Sequence, residues 1–113
     1  MSAGDEAHPA VTVQLTQGNL NNDHVYLRGH LGFFPADAVG AAAERDGLGT
    51  LLTLHAHGLS ESIETDIAGG NKLFFRKRAF WREFFLLHGL RAGDHVRIEK
   101  LSEYEYSIKP RSA

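Results

Sequence analysis

The stretch that decides the fold is Trp81–Val96, with the sequence WREFFLLHGLRAGDHV. In its first half, Phe84 and Phe85 follow Trp81 by three and four residues, a spacing that predicts a short helix with one apolar face. Gly89 can adopt the left-handed conformation that ends a helix. A Gly-Asp turn dipeptide followed by alternating apolar and polar residues then predicts a tight turn and a half-buried strand.

The composition is that of one soluble globular domain. The chain has 113 residues, of which 42% are hydrophobic and 23% are charged. It contains no cysteine, which excludes a disulfide framework, a thiolate metal site and a cysteine nucleophile. No apolar run reaches the ~20 residues of a membrane span, and the acidic start is unlike a signal peptide. We therefore predict a cytoplasmic protein with no membrane association and no cofactor.

Charge is distributed unevenly along the chain, although the net charge is only −2. Residues 1–71 carry two basic and nine acidic side chains, whereas residues 72–100 carry eight basic and three acidic ones. A basic cluster contains Lys72, Arg76, Lys77, Arg78 and Arg82. A locally basic surface on an acidic body is compatible with a shaped DNA site and argues against a generic polyanion binder. The alternative is that these residues only cover the solvent face of a strand and a helix.

Periodicity divides the chain into short elements. Residues 1–10 and 110–113 are predicted as tails, so that one domain spans residues 11–109. Strands are predicted over residues 11–15, 24–27, 50–56, 62–67, 72–76, 95–101 and 104–109. Gln17–Asp23 is predicted as a polar turn, and helices are predicted over Ala36–Glu44 and residues 78–88. These elements favour a mainly β (α+β) fold, a small mixed barrel of seven strands and two short helices.

Two sets of residues carry a family resemblance. The C-terminal set has a fixed spacing and consists of Trp81, Phe84, Leu90, Gly93 and Asp94. The N-terminal set is Leu15-Thr16, the strand at residues 24–27, and Phe34-Pro35. Together they resemble the DNA-binding pseudobarrel family, which contains plant B-three domains and the effector or target-recognition domains of certain bacterial restriction endonucleases. Arg28 and Phe80 replace the usual plant Pro and Gly, and an Asn-rich arm replaces a basic one, so the chain looks closer to the bacterial restriction branch.

The resemblance implies a seven-stranded open pseudobarrel whose two arms grip the major groove of double-stranded DNA. The arms correspond to Gln17–Arg28 and Glu64–Arg78. Their side chains agree with this role, because amides, guanidinium groups and carboxylates each pair with particular base edges, whereas a phosphate binder needs only Lys and Arg. The candidate DNA-binding residues are Gln17, Asn19, Asn21, Asn22, His24, Arg28, Glu64, Asp66, Asn71, Lys72, Arg76, Lys77, Arg78 and Arg82. We expect phosphate contacts from Lys72, Lys77 and Arg82.

Structural alternatives exist for the same residues. Asn and Gly are common in residues 18–23 because turns tolerate them, and Glu64 and Asp66 also fit the solvent side of an edge strand. The residues predicted to form the core, with no role in binding, are Trp81, Phe84, Phe85, Leu90, Val96 and Ile98.

Other functions fit parts of the sequence less well. His55 and His57 share a strand face and could bind a metal in a small β-barrel, yet no third ligand has a recognisable spacing. A nuclease centre at Glu64, Asp66 and Lys72 lacks the acidic-x-Lys triplet, so we predict that the chain is not an enzyme. Any catalysis would then belong to a nuclease or methyltransferase partner. A protein-interaction barrel that no longer binds DNA is the last alternative.

Overall fold

The structure consists of seven short strands and two α-helices; the computed structural model describes residues 8–111. The strands are β1 (Ala10–Gln14), β2 (Leu52–Ala56), β3 (Ile63–Thr65), β4 (Ile67–Ala68), β5 (Phe74–Phe75), β6 (His95–Ser102) and β7 (Glu105–Pro110). The helices are α1 (Gln17–Asn22) and α2 (Ala79–His88), and 3-10 turns lie at Leu31–Phe33, Ala36–Ala38 and Glu44–Asp46. The predicted α+β fold is confirmed. Over the described residues, the helices are too short to cross a bilayer.

Strand pairing curls the chain into an open barrel. The five-stranded sheet has the order β1-β6-β7-β2-β3, in which β2 and β7 are parallel and the other neighbours are antiparallel. One residue, Asp66, separates β3 from β4, and β4 pairs with β5. Phe74 of β5 forms a further bridge with Tyr26. The β3–β4 segment therefore joins the two sheets into an open pseudobarrel.

Helix α2 supplies the aromatic part of the core. Trp81 and Phe84 are fully buried, and their rings meet edge to face at 5.6 Å between centroids. The core predictions are confirmed for Trp81, Phe84, Phe85, Val96 and Ile98, which are all buried. Leu90 is only partly buried against this core. Gly89 ends the helix in the left-handed conformation, as the sequence predicted.

The segment predicted as a polar turn, Gln17–Asp23, is the helix α1 followed by its cap, so that prediction is wrong. The Thr16 hydroxyl accepts a hydrogen bond from the Asn19 amide at 3.1 Å, and the Asn19 side-chain oxygen accepts one from the Thr16 amide at 2.9 Å. This reciprocal capping box satisfies two backbone donors and stabilises a helix that consists of four amide residues, one glycine and one leucine.

The prediction of a helix over Ala36–Glu44 is also wrong, because the segment contains only a 3-10 turn at Ala36–Ala38 before it becomes extended. After the 3-10 turn, Val39 pairs with Ile67 in a parallel bridge, and the Gly40 amide donates to the Ile67 carbonyl at 2.8 Å. A Cβ at Gly40 would overlap the Asp66 carboxylate, so this close packing requires glycine. Pairing with a distant strand thus outweighs the helix propensity of the alanines.

Seven strands were predicted and seven are present, because one predicted strand is absent and another is divided into two. The strand predicted over residues 24–27 is reduced to the Tyr26–Phe74 bridge and one flanking hydrogen bond, from the Leu27 amide to the Leu73 carbonyl at 2.8 Å. The strand predicted over residues 62–67 is divided at Asp66 into β3 and β4. The division occurs where the chain passes from one sheet to the other.

Candidate nucleic-acid interface

The two predicted arms meet in the structure. The Tyr26–Phe74 bridge pairs them through the backbone. The Arg28 guanidinium also donates to the carbonyl of Asn71 at 2.9 Å, which links the end of the first arm to the tip of the second. The sequence predicted two separate arms on one face, and the structure adds that they are hydrogen-bonded to each other.

A row of cationic and aromatic side chains crosses this junction; we call it the cation–aromatic strip. It consists of Arg28, Tyr26, His24, Phe74 and Arg78. The Arg28 guanidinium lies 5.1 Å from the Tyr26 ring centroid, and that of Arg78 lies 5.7 Å from the Phe74 centroid. The strip forms because residues in an extended segment alternate between faces. Val25 and Leu27 are fully buried, whereas Tyr26 between them is 40% exposed.

His24 lies at the centre of the strip and is buried. Its ring stacks on Phe74 at 4.4 Å between centroids and is tilted against Tyr26 at 4.6 Å. Burial lowers the pKa of His24, the charge of Arg78 lowers it further, and the charge of Asp23 opposes this. His24 therefore packs between the rings and supports the strip, which leaves its side chain little surface for the predicted DNA contact.

Three lysines and arginines outside the strip remain exposed. Arg82, in the first turn of α2, is 72% exposed and lies 3.5 Å from the Asp23 carboxylate. The Lys72 ammonium donates to the carbonyl of Ala42 at 2.9 Å, and Lys77 is exposed after β5. The Lys and Arg groups predicted to contact phosphates are therefore accessible to a polyanion.

Asp66 and Arg76 form an ion pair in which the Asp66 side chain is buried and the Arg76 side chain is only 16% exposed. The Arg76 guanidinium donates to both carboxylate oxygens, at 2.6 and 2.8 Å, and the Gly49 amide donates at 2.7 Å. Burial opposes ionisation of Asp66, but the hydrogen bonds from Arg76 and Gly49 outweigh it and lower the pKa of Asp66. Arg76 also donates to the Ala41 carbonyl at 2.8 Å. Both side chains are thus engaged in holding the fold, which argues against the DNA contacts predicted for them.

The amides of the first arm divide into one buried and three exposed groups. Asn19 is 2% exposed and serves the capping box of α1, which leaves its side chain little surface for the predicted DNA contact. The exposed side chains hydrogen-bond within the helix: Gln17 donates to Asn21 and Asn22 donates to the Gly18 carbonyl, both at 2.9 Å. Their predicted DNA contacts stay predictions.

The remaining two candidates occupy different surroundings. Asn71 is exposed in the turn between β4 and β5, next to Lys72. Glu64 is exposed on β3 and lines a cavity of about 610 Å³ together with Lys77 and the exposed Leu48 and Leu51. The structure therefore places Asn71 beside the strip, where its carbonyl accepts from Arg28. Glu64 instead pairs with β2 and lines the 610 Å³ cavity.

Sequence reasoning missed Tyr26 and Phe74. Tyr26 is 40% exposed, and Phe74 is partly exposed beside it. The signal was available, because Tyr26 alternates with two aliphatic residues and stands between His24 and Arg28. An aromatic residue at an outward position between polar residues indicates a surface ring.

His55 and His57 have separate partners. The His55 ring nitrogen lies 2.6 Å from the Glu105 carboxylate, on the paired strand β7. His57 stacks against His88, whose ring nitrogen meets the His57 carbonyl at 2.7 Å. Within residues 8–111, no three His, Asp or Glu side chains converge as metal ligands.

The comparisons with known proteins identify a fold. No protein-family model matches the chain, and no curated protein matches it. A solved structure, the Arabidopsis FUS3–DNA complex, is similar with a TM-score of 0.55 over 91% of this chain and 96% of that chain. The sequence identity is 14%, and FUS3 is a plant B-three domain. The protein therefore has the B-three-like pseudobarrel fold that its sequence predicted.

Proposed function

We propose that the protein binds double-stranded DNA in the major groove through the cation–aromatic strip and its exposed neighbours. The observation that carries the proposal is the hydrogen-bonded junction of the two arms, where Arg28 and Arg78 lie over aromatic rings on one outward surface. The similar pseudobarrel of FUS3 was solved with DNA, which supports the same use of this fold.

The side chains divide into two roles. Lys72, Lys77 and Arg82 are exposed and would neutralise phosphates. Base edges would be read by the outward polar groups, since Arg pairs with guanine and Asn or Gln with adenine. This second set is Gln17, Asn21, Asn22, Arg28, Asn71 and Arg78.

The charge distribution favours specific recognition over a general attraction to DNA. Each neutralised phosphate adds to the salt dependence of binding. With a net charge of −2, the body of the protein repels DNA, and only the local basic surface attracts it. High affinity then requires hydrogen bonds to the base edges as well as ion pairs with the phosphates.

A role in restriction–modification rests on the sequence resemblance alone. We propose that any cleavage or methylation belongs to a nuclease or methyltransferase partner, with this chain supplying recognition in the cytoplasm. Co-purification with the products of neighbouring genes would test this part separately.

The decisive experiment is selection of duplexes from a random pool, followed by titration of variants against the enriched sequence. Arg28→Ala and Arg78→Ala should each weaken binding by about 1–3 kcal/mol and relax the preference at one base pair. Lys77→Ala should weaken binding to all duplexes alike and reduce the salt dependence, because Lys77 is exposed and only its backbone amide is hydrogen-bonded. Arg91→Ala is the matched control, because Arg91 is exposed in the α2–β6 turn and uses only its backbone amide.

The proposal fails if no sequence is enriched, or if the strip variants bind like the Arg91→Ala control. Absence of any duplex binding at low salt would favour the protein-interaction alternative.

A further inference from the structure

The loop at residues 40–47 is fastened to the second arm and adds a third element beside the strip. Two cations of the arm donate to its carbonyls: Arg76 to Ala41 at 2.8 Å and Lys72 to Ala42 at 2.9 Å. The approach is close, since a Cβ at Gly69 would overlap the Gly40 carbonyl. The loop is therefore held in one position against the arm.

This loop carries a carboxylate into the basic surface. A cavity of about 280 Å³ lies between loop and arm and is lined by Ala42, Glu44, Ala68, Lys72, Phe74, Arg76 and Arg78. Among the described residues lining it, Glu44 is the one acidic side chain beside three cations. Arg76 is already neutralised by Asp66. Glu44 itself is exposed, and no described cation forms an ion pair with it.

A carboxylate at this position opposes DNA binding unless it gains a hydrogen bond there, because phosphates repel it. In the major groove the available donors are the N4 amine of cytosine and the N6 amine of adenine. The adenine amine lies beside the N7 acceptor, which repels a carboxylate, and guanine and thymine present acceptors at the same place. A carboxylate at this position therefore favours cytosine over the other three bases.

Building on the proposed DNA binding, we propose that Glu44 is a specificity-determining residue that accepts a hydrogen bond from a cytosine amine. Lys72 and Arg78 line the same cavity, so a phosphate held by Lys72 and a base contacted by Arg78 bring a neighbouring base edge towards the carboxylate. The hydrogen bonds from Arg76 and Lys72 to the loop backbone keep the segment that carries Glu44 beside the basic surface before DNA arrives.

Glu44→Gln tests this through two measurements that should change in opposite directions. Affinity for non-specific duplex DNA should rise about threefold, because a charge that repels phosphates is lost. Preference for C·G over T·A at one position of the selected site should fall about tenfold, because the amide can present a donor as well as an acceptor. Glu103→Gln, at an exposed position in the β6–β7 turn, is the matched control and should change neither.

Equal strengthening of binding to every duplex would overturn the proposal, since Glu44 would then only repel DNA. Unchanged binding to all duplexes would overturn it as well. If the unaltered protein binds no duplex at all, the proposed function fails first and the role of Glu44 fails with it. Glu44 is exposed, so the melting temperature of the variant should match that of the unaltered protein and exclude a folding effect.

Discussion

Replacing Asp66 by Asn should destabilise the protein strongly, although Asp66 itself is not among the proposed DNA contacts. The two Asp66 oxygens accept three hydrogen bonds, two from Arg76 and one from the Gly49 amide. An asparagine must turn an NH2 group towards at least one of these donors, and it leaves the Arg76 charge without a partner. The side chains of Asp66 and Arg76 are only 2% and 16% exposed, so water cannot compensate fully.

Removing one partner of a buried ion pair costs about 3–5 kcal/mol. Because Arg76 keeps some access to water, we expect a loss of about 3 kcal/mol, and at roughly 4 °C per kcal/mol the melting temperature should fall by about 12 °C. Urea unfolding followed by Trp81 fluorescence measures the free energy directly. Glu64→Gln, an exposed carboxylate two residues away, is the control and should change stability by less than about 0.5 kcal/mol.

The acid dependence gives a second measurement. The pKa of folded Asp66 is lowered, so the pair contributes its full stability above the ordinary carboxyl pKa of about 4 and loses it as the pH falls through the folded pKa. In the Asp66→Asn variant, the free energy of unfolding should therefore depend less on pH in this acid range. A double variant with Arg76→Met should be more stable than Asp66→Asn alone. The reasoning is refuted if Asp66→Asn is as stable as the Glu64→Gln control.

Three further predictions concern the core, the strip and the DNA contact. Trp81→Ala should cost about 3–5 kcal/mol of stability while leaving the DNA affinity of the folded fraction unchanged, and a variant with normal melting but no binding would contradict the core assignment. Because the pKa of His24 is lowered on folding, protonation favours the unfolded chain, so stability should fall as the pH drops below about 6.5; His24→Phe should remove this part of the pH dependence in calorimetry. Arg82→Ala should reduce the slope of log affinity against log salt by about 0.9 if Arg82 neutralises one phosphate, and an unchanged slope would remove it from the phosphate set.

The C-terminal half was predictable because its signals are local. The spacing of Trp81 and Phe84 defines the buried face of α2, and Gly89 ends the helix within the same short stretch. Strands β6 and β7 follow as an antiparallel pair whose apolar residues alternate. No distant part of the chain is needed to specify these elements.

The N-terminal half was less predictable because its structure depends on partners far along the chain. Val39 and Gly40 are extended because Ile67 pairs with them, and neither alanine propensity nor periodicity contains that information. Likewise, alternation marked Asp66 and Arg76 as polar positions of a strand but could not show that they face each other. The cap of α1 was a missed local signal, since Thr16 and Asn19 stand at capping-box spacing.

The hydrogen bond from Arg28 to the Asn71 carbonyl has a consequence for the geometry of a recognised site. Because the arms are tied together there and at the Tyr26–Phe74 bridge, they cannot shift independently along a duplex. The spacing between the base pairs that the two arms contact is then fixed. One inserted base pair, which adds about 3.4 Å along each strand and rotates everything beyond it, should harm binding more than any single base change. Substitutions in the two arms should also show coupled rather than additive effects.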